Sequence, residues 1–274
     1  MSTLLATESG GFVVPPLEEL FKFPAIWFED SPLLALNRTG LLYMLAAVIA
    51  IGLMFVAFRR PKLVPGRFQA AMEALVDFVR DDIVIQAIGP DGLRYVPFLT
   101  SLFLFIWINN FWEVMPLVQF PSTGRMAVPA FLALTVYVVY WAAGAKAVGF
   151  WRYIVDHAVP PGVPKPILLL VIPIELAQIL VIRPLTHAVR LFANMMAGHI
   201  LLAIIFIAAN TFLLDVHNGI AEASFNLKGS PIGLAALAFG PAMVGFEIMV
   251  GALQAYIFTI LAAVYIGDSM HPAH

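Results

Sequence analysis

The sequence predicts an all-α integral membrane protein, and three observations carry that prediction. Hydrophobic residues make up 61% of the 274 and charged residues only 12%, against about 45–50% and about 25% in an ordinary soluble domain. The mean hydropathy of +0.92 is too high for a chain that hides its apolar surface in its own core. The apolar residues come in runs of membrane-spanning length, and no polar segment between them is long enough for a core of its own. A net charge of −2, with no basic patch interleaved with aromatics, leaves no nucleic-acid partner. The lack of cysteine removes disulfides, thiolate metal sites and cysteine nucleophiles together. No metal and no cofactor are expected.

The chain reads as one membrane domain. Residues 1–38 form an extracytoplasmic N-terminal segment, with Glu8, Glu18 and Glu19 ahead of the first basic residue. A cleavable signal peptide begins positively and has an early apolar core, so none is expected, and the first span serves as its own insertion signal. That span runs over 39–58 without a charge, a rise of about 30 Å in a helix and enough for the hydrocarbon core. Arg59, Arg60, Lys62 and Arg67 follow at once, which places this end in the cytoplasm and the N-terminus outside. Residues 66–89 read as an amphipathic helix on the cytoplasmic surface. Phe68, Met72, Leu75, Val76 and Val79 recur there at helical spacing, opposite Glu73, Asp77 and Arg80.

A helical hairpin occupies 96–145, with spans at 96–118 and 127–145 joined through Pro121, Gly124 and Arg125. Trp107 and Trp112 read as interface anchors. The loop 146–165 carries Lys146, Arg152 and Lys165 and returns to the cytoplasm. From 167 to 214 the chain is almost continuously apolar, too long for one perpendicular helix. Hydropathy alone divides it near Arg183 and Pro184, where proline removes a backbone donor. The last apolar stretch, 232–266, also overshoots a span. These two overlong segments predict strongly tilted, membrane-embedded helices, paired over 167–266. No internal repeat is present.

Charges inside such segments call for explanation one by one, because each costs about 2.5–3.5 kcal/mol near mid-bilayer. Arg190 sits in an otherwise apolar run and cannot lose its proton, so it is a fixed positive charge. The alternative is a structural Arg bonded to carbonyls or a carboxylate. Asn194 is four residues on and Arg183 seven back, which puts the three on one face. His199, nine on, falls about 180° away. In the last helix Gln254 lies seven beyond Glu247, again on one face.

If these two helices form an antiparallel hairpin turning near Glu222, residues at one level share a constant index sum. Arg190 with Gln254 gives 444 and His199 with Glu247 gives 446. Two polar pairs thus fall on two levels about 12 Å apart, and His199–Glu247 reads as a proton relay or as a structural pair. Asn110 and Glu113 share a face of the second span, as a water-lined path needs. The alternative is that Glu113 is solvated at the outer interface.

The run RPLTHAVRLFANMMAGHILL at 183–202 resembles the signature of the F-type ATP synthase a subunit family, whose core reads R-L-F-x-N-x-x-A-G. FEIMVGALQAYIFTILAAVYI at 246–266 resembles its final helix. The resemblance covers about residues 37–268, and the general look is actinobacterial. It implies five membrane helices, N-terminus outside and C-terminus inside a cell membrane, with 167–214 as one long tilted helix. It implies c-ring subunits, b-type peripheral stalk subunits and the rest of the synthase as partners. It implies proton translocation through two half-channels coupled to ATP synthesis, with no covalent catalysis in this chain.

By this resemblance Arg190 faces the c-ring carboxylates, Gln254 partners it, and Asn194, His199 and Glu247 complete the translocation site. Asn110 and Glu113 line the outer half-channel. Glu175 stands one residue further from Arg190 than in some members, which leaves room for a helical bulge near Ile182, and it takes no role. The alternative readings are an ion-coupled secondary transporter, which usually shows paired repeats, and a purely structural membrane subunit. A membrane hydrolase lacks its G-x-S-x-G or HExxH motif.

Overall fold

The computed structural model describes residues 25–27, 36–115, 126–159, 164–215, 224–225 and 231–270. Five helices among them are long and apolar enough to cross a membrane. Most of the expected N-terminal segment and the turn near Glu222 lie outside the described residues. What is described of them is an antiparallel strand pair, β1 (Ala25–Trp27) with β2 (Leu36–Asn37), and another, β3 (Leu214–Asp215) with β4 (Ser224–Phe225).

The first span is α1 (Arg38–Phe58). Helix α2 (Arg67–Phe78) continues through a π-helical stretch, Val79–Ile85. Its first half fits the amphipathic expectation. Its second half does more: Val79, Ile83 and Val84 are fully buried in the main apolar cluster. A short 3₁₀ turn, Pro90–Tyr95, leads into α3 (Val96–Val114).

Helix α3 ends at Val114, and residues 116–118 of the expected span lie outside the described residues. Met115 is extended, with φ −70° and ψ 119°, as befits a residue ahead of a proline, here Pro116. Trp112 is 8% accessible and packs with Leu42, so it is a packed residue rather than an exposed anchor. Helix α4 (Ala127–Val148) overruns the expected end by one turn. Gly149, at φ 92°, then turns the chain into α5 (Phe150–Ala158), a short helix inside what reads as a loop.

The division near Arg183 and Pro184 does not occur. Helix α6 (Lys165–Ala177) runs through a π-helical turn, Gln178–Ile182, into α7 (Arg183–Leu213) as one continuous element. Pro184 explains the turn: it offers no N–H, and its ring crowds the carbonyl four residues back. The wider π turn absorbs both. Neighbours take up nearby carbonyls: the Tyr140 hydroxyl donates to Ile179 O at 3.0 Å, and Thr186 Oγ1 donates to Ile182 O at 2.7 Å.

The last span, α8 (Pro231–Met270), is the centre of the molecule. Its stripe Ala255, Phe258, Ala262, Ala263 and Ile266 is fully buried against α3, α4, the π-helical stretch after α2, and α7. Small residues let helices approach closely where no water drives them together. At Gly267 a Cβ would lie 2.6 Å from Ala87 O. Helices α7 and α8 run antiparallel: Gly198 meets Glu247, and Gly240 faces Ile205 and Phe206. The index sum there is 445, within the predicted 444–446.

Candidate functional site

Helical phase decides where each polar residue goes. On α3, Asn110 and Glu113 are 4% and 3% accessible, on the face toward α8. Asn110 Nδ2 donates to the backbone carbonyl of Gly251 at 2.9 Å. On α8, Glu247 lies one turn before Gly251 and is 4% accessible. Its carboxylate is seated against Gly198 of α7, where any Cβ would overlap it. The next residue, His199, brings Nδ1 to 3.7 Å from Glu113 Oε1.

Glu113, His199 and Glu247 therefore gather from three helices into one place. The expected pair His199–Glu247 and the expected α3 group are one cluster. A small crevice lined by Trp107, Asn110, Phe111, Glu247, Ile248 and Gly251 adjoins it. Among the described residues, Glu113 Oε1 and Asn110 Oδ1 are buried without a hydrogen-bond partner, as is Gln254 Nε2 further along α8. These atoms keep free capacity to bond water, as a polar path needs.

Arg190 faces the other way. It is exposed on α7 and forms no hydrogen bond or ion pair among the described residues. Gln254 shares its level but is turned inward, 5% accessible. Asn194 is half-buried beside them. Arg183 departs from the expected common face. Its Nη2 lies 3.6 Å from Asp268 Oδ2, and its guanidinium sits 5.2 Å over the Tyr265 ring, so its charge is matched within the chain.

Sequence reading gave no role to two residues that stand out in the structure. Asp268 lies beyond the expected end of the last span at 266. His187, 2% accessible, packs against Phe258 with ring centroids 3.7 Å apart. Its one sequence signal was a histidine inside an apolar run. Glu175 shows no contact that gives it a role.

Ionisable groups held inside a bundle of spanning helices define a multi-pass membrane protein that serves ion passage. The ATP synthase A chain family model matches residues 41–267. The chain is 39% identical over 268 residues to ATP synthase subunit a of Streptomyces lividans, covering 96% of this chain and 90% of that protein. It is 36% identical to ATP synthase subunit a of Rhodococcus erythropolis, over 99% of this chain and 94% of that one. It is 39% identical to that of Pseudarthrobacter chlorophenolicus, over 98% and 97%. The chain belongs to the ATP synthase A chain family, the proton-translocating membrane component of F-type ATP synthase. It is a channel subunit of that complex and not a catalytic one, and nothing favours a secondary transporter.

Proposed function

We propose that the exposed face of α7 bearing Arg190 meets the carboxylates of a c-ring, and that protons reach and leave that meeting place by two half-channels. The observation that carries this reading is Arg190 itself. A guanidinium at bilayer depth with no partner among the described residues needs an anion from outside the chain. A passing rotor carboxylate is such an anion.

In this reading the cluster of Asn110, Glu113, His199 and Glu247 is the outer half-channel. Protons step along it to a carboxylate, which is neutralised and travels through lipid. On arriving at the other half-channel the carboxylate loses its proton and is drawn past Arg190. The fixed positive charge also blocks direct leakage between the channels. Gln254 and Asn194 hold the polar surroundings of that step. The driving force is about 2.3 kcal/mol per charge per 100 mV. The exposed stripe Met44, Val48, Ile51 and Phe55 on α1 is left for lipid or b-type peripheral stalk subunits. The N-terminus lies outside and the C-terminus in the cytoplasm.

The test is Arg190→Ala in whole ATP synthase, measured as ATP-driven proton pumping in inverted vesicles. Pumping is expected to vanish while complexes still assemble, because Arg190 forms no hydrogen bond or ion pair among the described residues. Lys is expected to restore it only in part, since an ammonium can lose its proton and lacks the fork of the guanidinium. Assembled Arg190→Ala complexes that pump at wild-type rates would overturn the assignment.

A further inference from the structure

One buried titratable side chain has no part in the path described above. His187 lies three residues before Arg190 on α7, is 2% accessible, and leaves both ring nitrogens without a hydrogen-bond partner among the described residues. Its ring packs on Phe258 at 3.7 Å and on Tyr265 at 5.7 Å between centroids. As mere filler it is a poor choice: phenylalanine would pack the same space and bury no polar atom. Most buried polar groups find a partner, so two orphaned nitrogens on one ring ask for a reason.

The surroundings supply one. Arg190 stands one turn along the helix in one direction and Arg183 one turn in the other. Arg183 holds Asp268 at 3.6 Å, and the Asp268 side chain is 49% exposed. Tyr265 spans the gap, with its ring against both the His187 imidazole and the Arg183 guanidinium. From α4, Tyr140 packs 6.0 Å from the Tyr265 ring, but its hydroxyl is committed to Ile179 O. The charged and titratable groups about His187 are thus Arg183 and Arg190 on its own helix, Tyr265 and Asp268 from α8, and Tyr140 from α4. They form a line from the Arg190 level to an exposed carboxylate.

We propose that His187 passes protons along the second path, on the Asp268 side of Arg190, and that Asp268 is where they leave the chain. The inference rests on the Arg190 reading above and adds the residues of the exit. A proton released by the rotor carboxylate bonds to one ring nitrogen while the other nitrogen gives up its proton, through water, to Asp268. The imidazole ends neutral in its other tautomer and resets by turning over. Asp268 then yields the proton to solvent, and Arg183 keeps the carboxylate in place.

The experiment uses whole ATP synthase in inverted vesicles and measures ATP-driven pumping per assembled complex. His187→Phe and His187→Gln are each expected to lower the flux about tenfold or more. Phe keeps the packing and Gln keeps hydrogen bonding, so neither loss would follow from structure alone. His187→Ala is expected to regain flux with added imidazole but not with pyrrole, which fills the same space without a basic nitrogen. Wild-type flux in the Phe or Gln variant, or equal rescue by pyrrole, overturns the proposal.

Should the His187 variants fail to assemble, Asp268→Asn decides at the exposed end. Its flux is expected to fall about tenfold and to return with Asp268→Glu, and wild-type flux in Asp268→Asn sinks the exit path. The Arg190→Ala measurement separates the two readings. If Arg190→Ala blocks pumping and the His187 and Asp268 variants do not, only the exit path is wrong. If Arg190→Ala pumps normally, the wider reading fails.

Discussion

Glu247 reaches its place because position 198 has no side chain. The carboxylate occupies the volume that a Cβ at Gly198 would take, and this brings it beside His199 and toward Glu113. Gly198→Ala should therefore move Glu247 out of the cluster. Overpacking of this kind costs about 1–3 kcal/mol, enough to misplace a side chain without dissolving a helix bundle. The expected result is a several-fold loss of proton flux in complexes of normal abundance. Glu247→Asp, shorter by one methylene, should recover part of it when combined with Gly198→Ala, since residues in contact couple by about 0.5–3 kcal/mol. Strict additivity of the two losses would show that the fit at 198 does not matter. These polar positions were legible in the sequence because a charge in an apolar run stands out. Their partners were not. His199 meets Glu113 from α3, and hairpin arithmetic on two helices cannot see a third. Arg183 was grouped with Arg190 by phase, yet its long side chain reaches Asp268.

The pairing of α7 with α8 has a register that can be tested by crosslinking. Gly198 meets Glu247, and seven residues further along α7 Ile205 meets Gly240, seven residues back along α8. With no cysteine in the chain, Ile205→Cys with Gly240→Cys gives a clean pair. It should oxidise readily, since a disulfide needs Cα atoms within about 7 Å. The control Ile205→Cys with Glu247→Cys is displaced by seven residues, about 10 Å along a helix, and should not. Crosslinking of the control instead of the pair would overturn the register. Sequence reading found this register because both long helices carry polar marks. It missed α5, where nine residues (Phe150–Ala158) give too little periodicity to separate a helix from a loop. Hydropathy alone cut 167–214 at Pro184, because the π turn and the Tyr140 hydroxyl that relieve that proline are tertiary facts. The family resemblance implied one long helix with room for a bulge near Ile182, and the π turn Gln178–Ile182 stands there.

Most of the described basic residues that flank the spans collect at one end of the bundle, while Arg38, at the start of α1, lies at the other. Gly267 rests on Ala87, Ser269 hydrogen-bonds the Tyr153 hydroxyl at 2.9 Å, and Met270 Sδ accepts from Arg94 at 3.5 Å. These contacts bring the end of α8, the start of α3, and α5 together. Arg59, Arg60, Lys62 and Arg67 join the same end through the link from α1 to α2, where Gln69 bonds back to Lys62. Lys146, in the last turn of α4, and Arg152, within α5, lie there too. Positive charge beside a span is retained on the cytoplasmic side during insertion, so this whole end should face the cytoplasm. Leu63, fully exposed just after α1, offers a place to check it. A Leu63→Cys variant should react with a membrane-impermeant maleimide in inverted vesicles and stay unlabelled in right-side-out ones. Dissolving the membrane with detergent should make it reactive in both. Labelling in right-side-out vesicles alone would invert the topology and, with it, the assignment of the Glu113, His199 and Glu247 cluster to the outer half-channel.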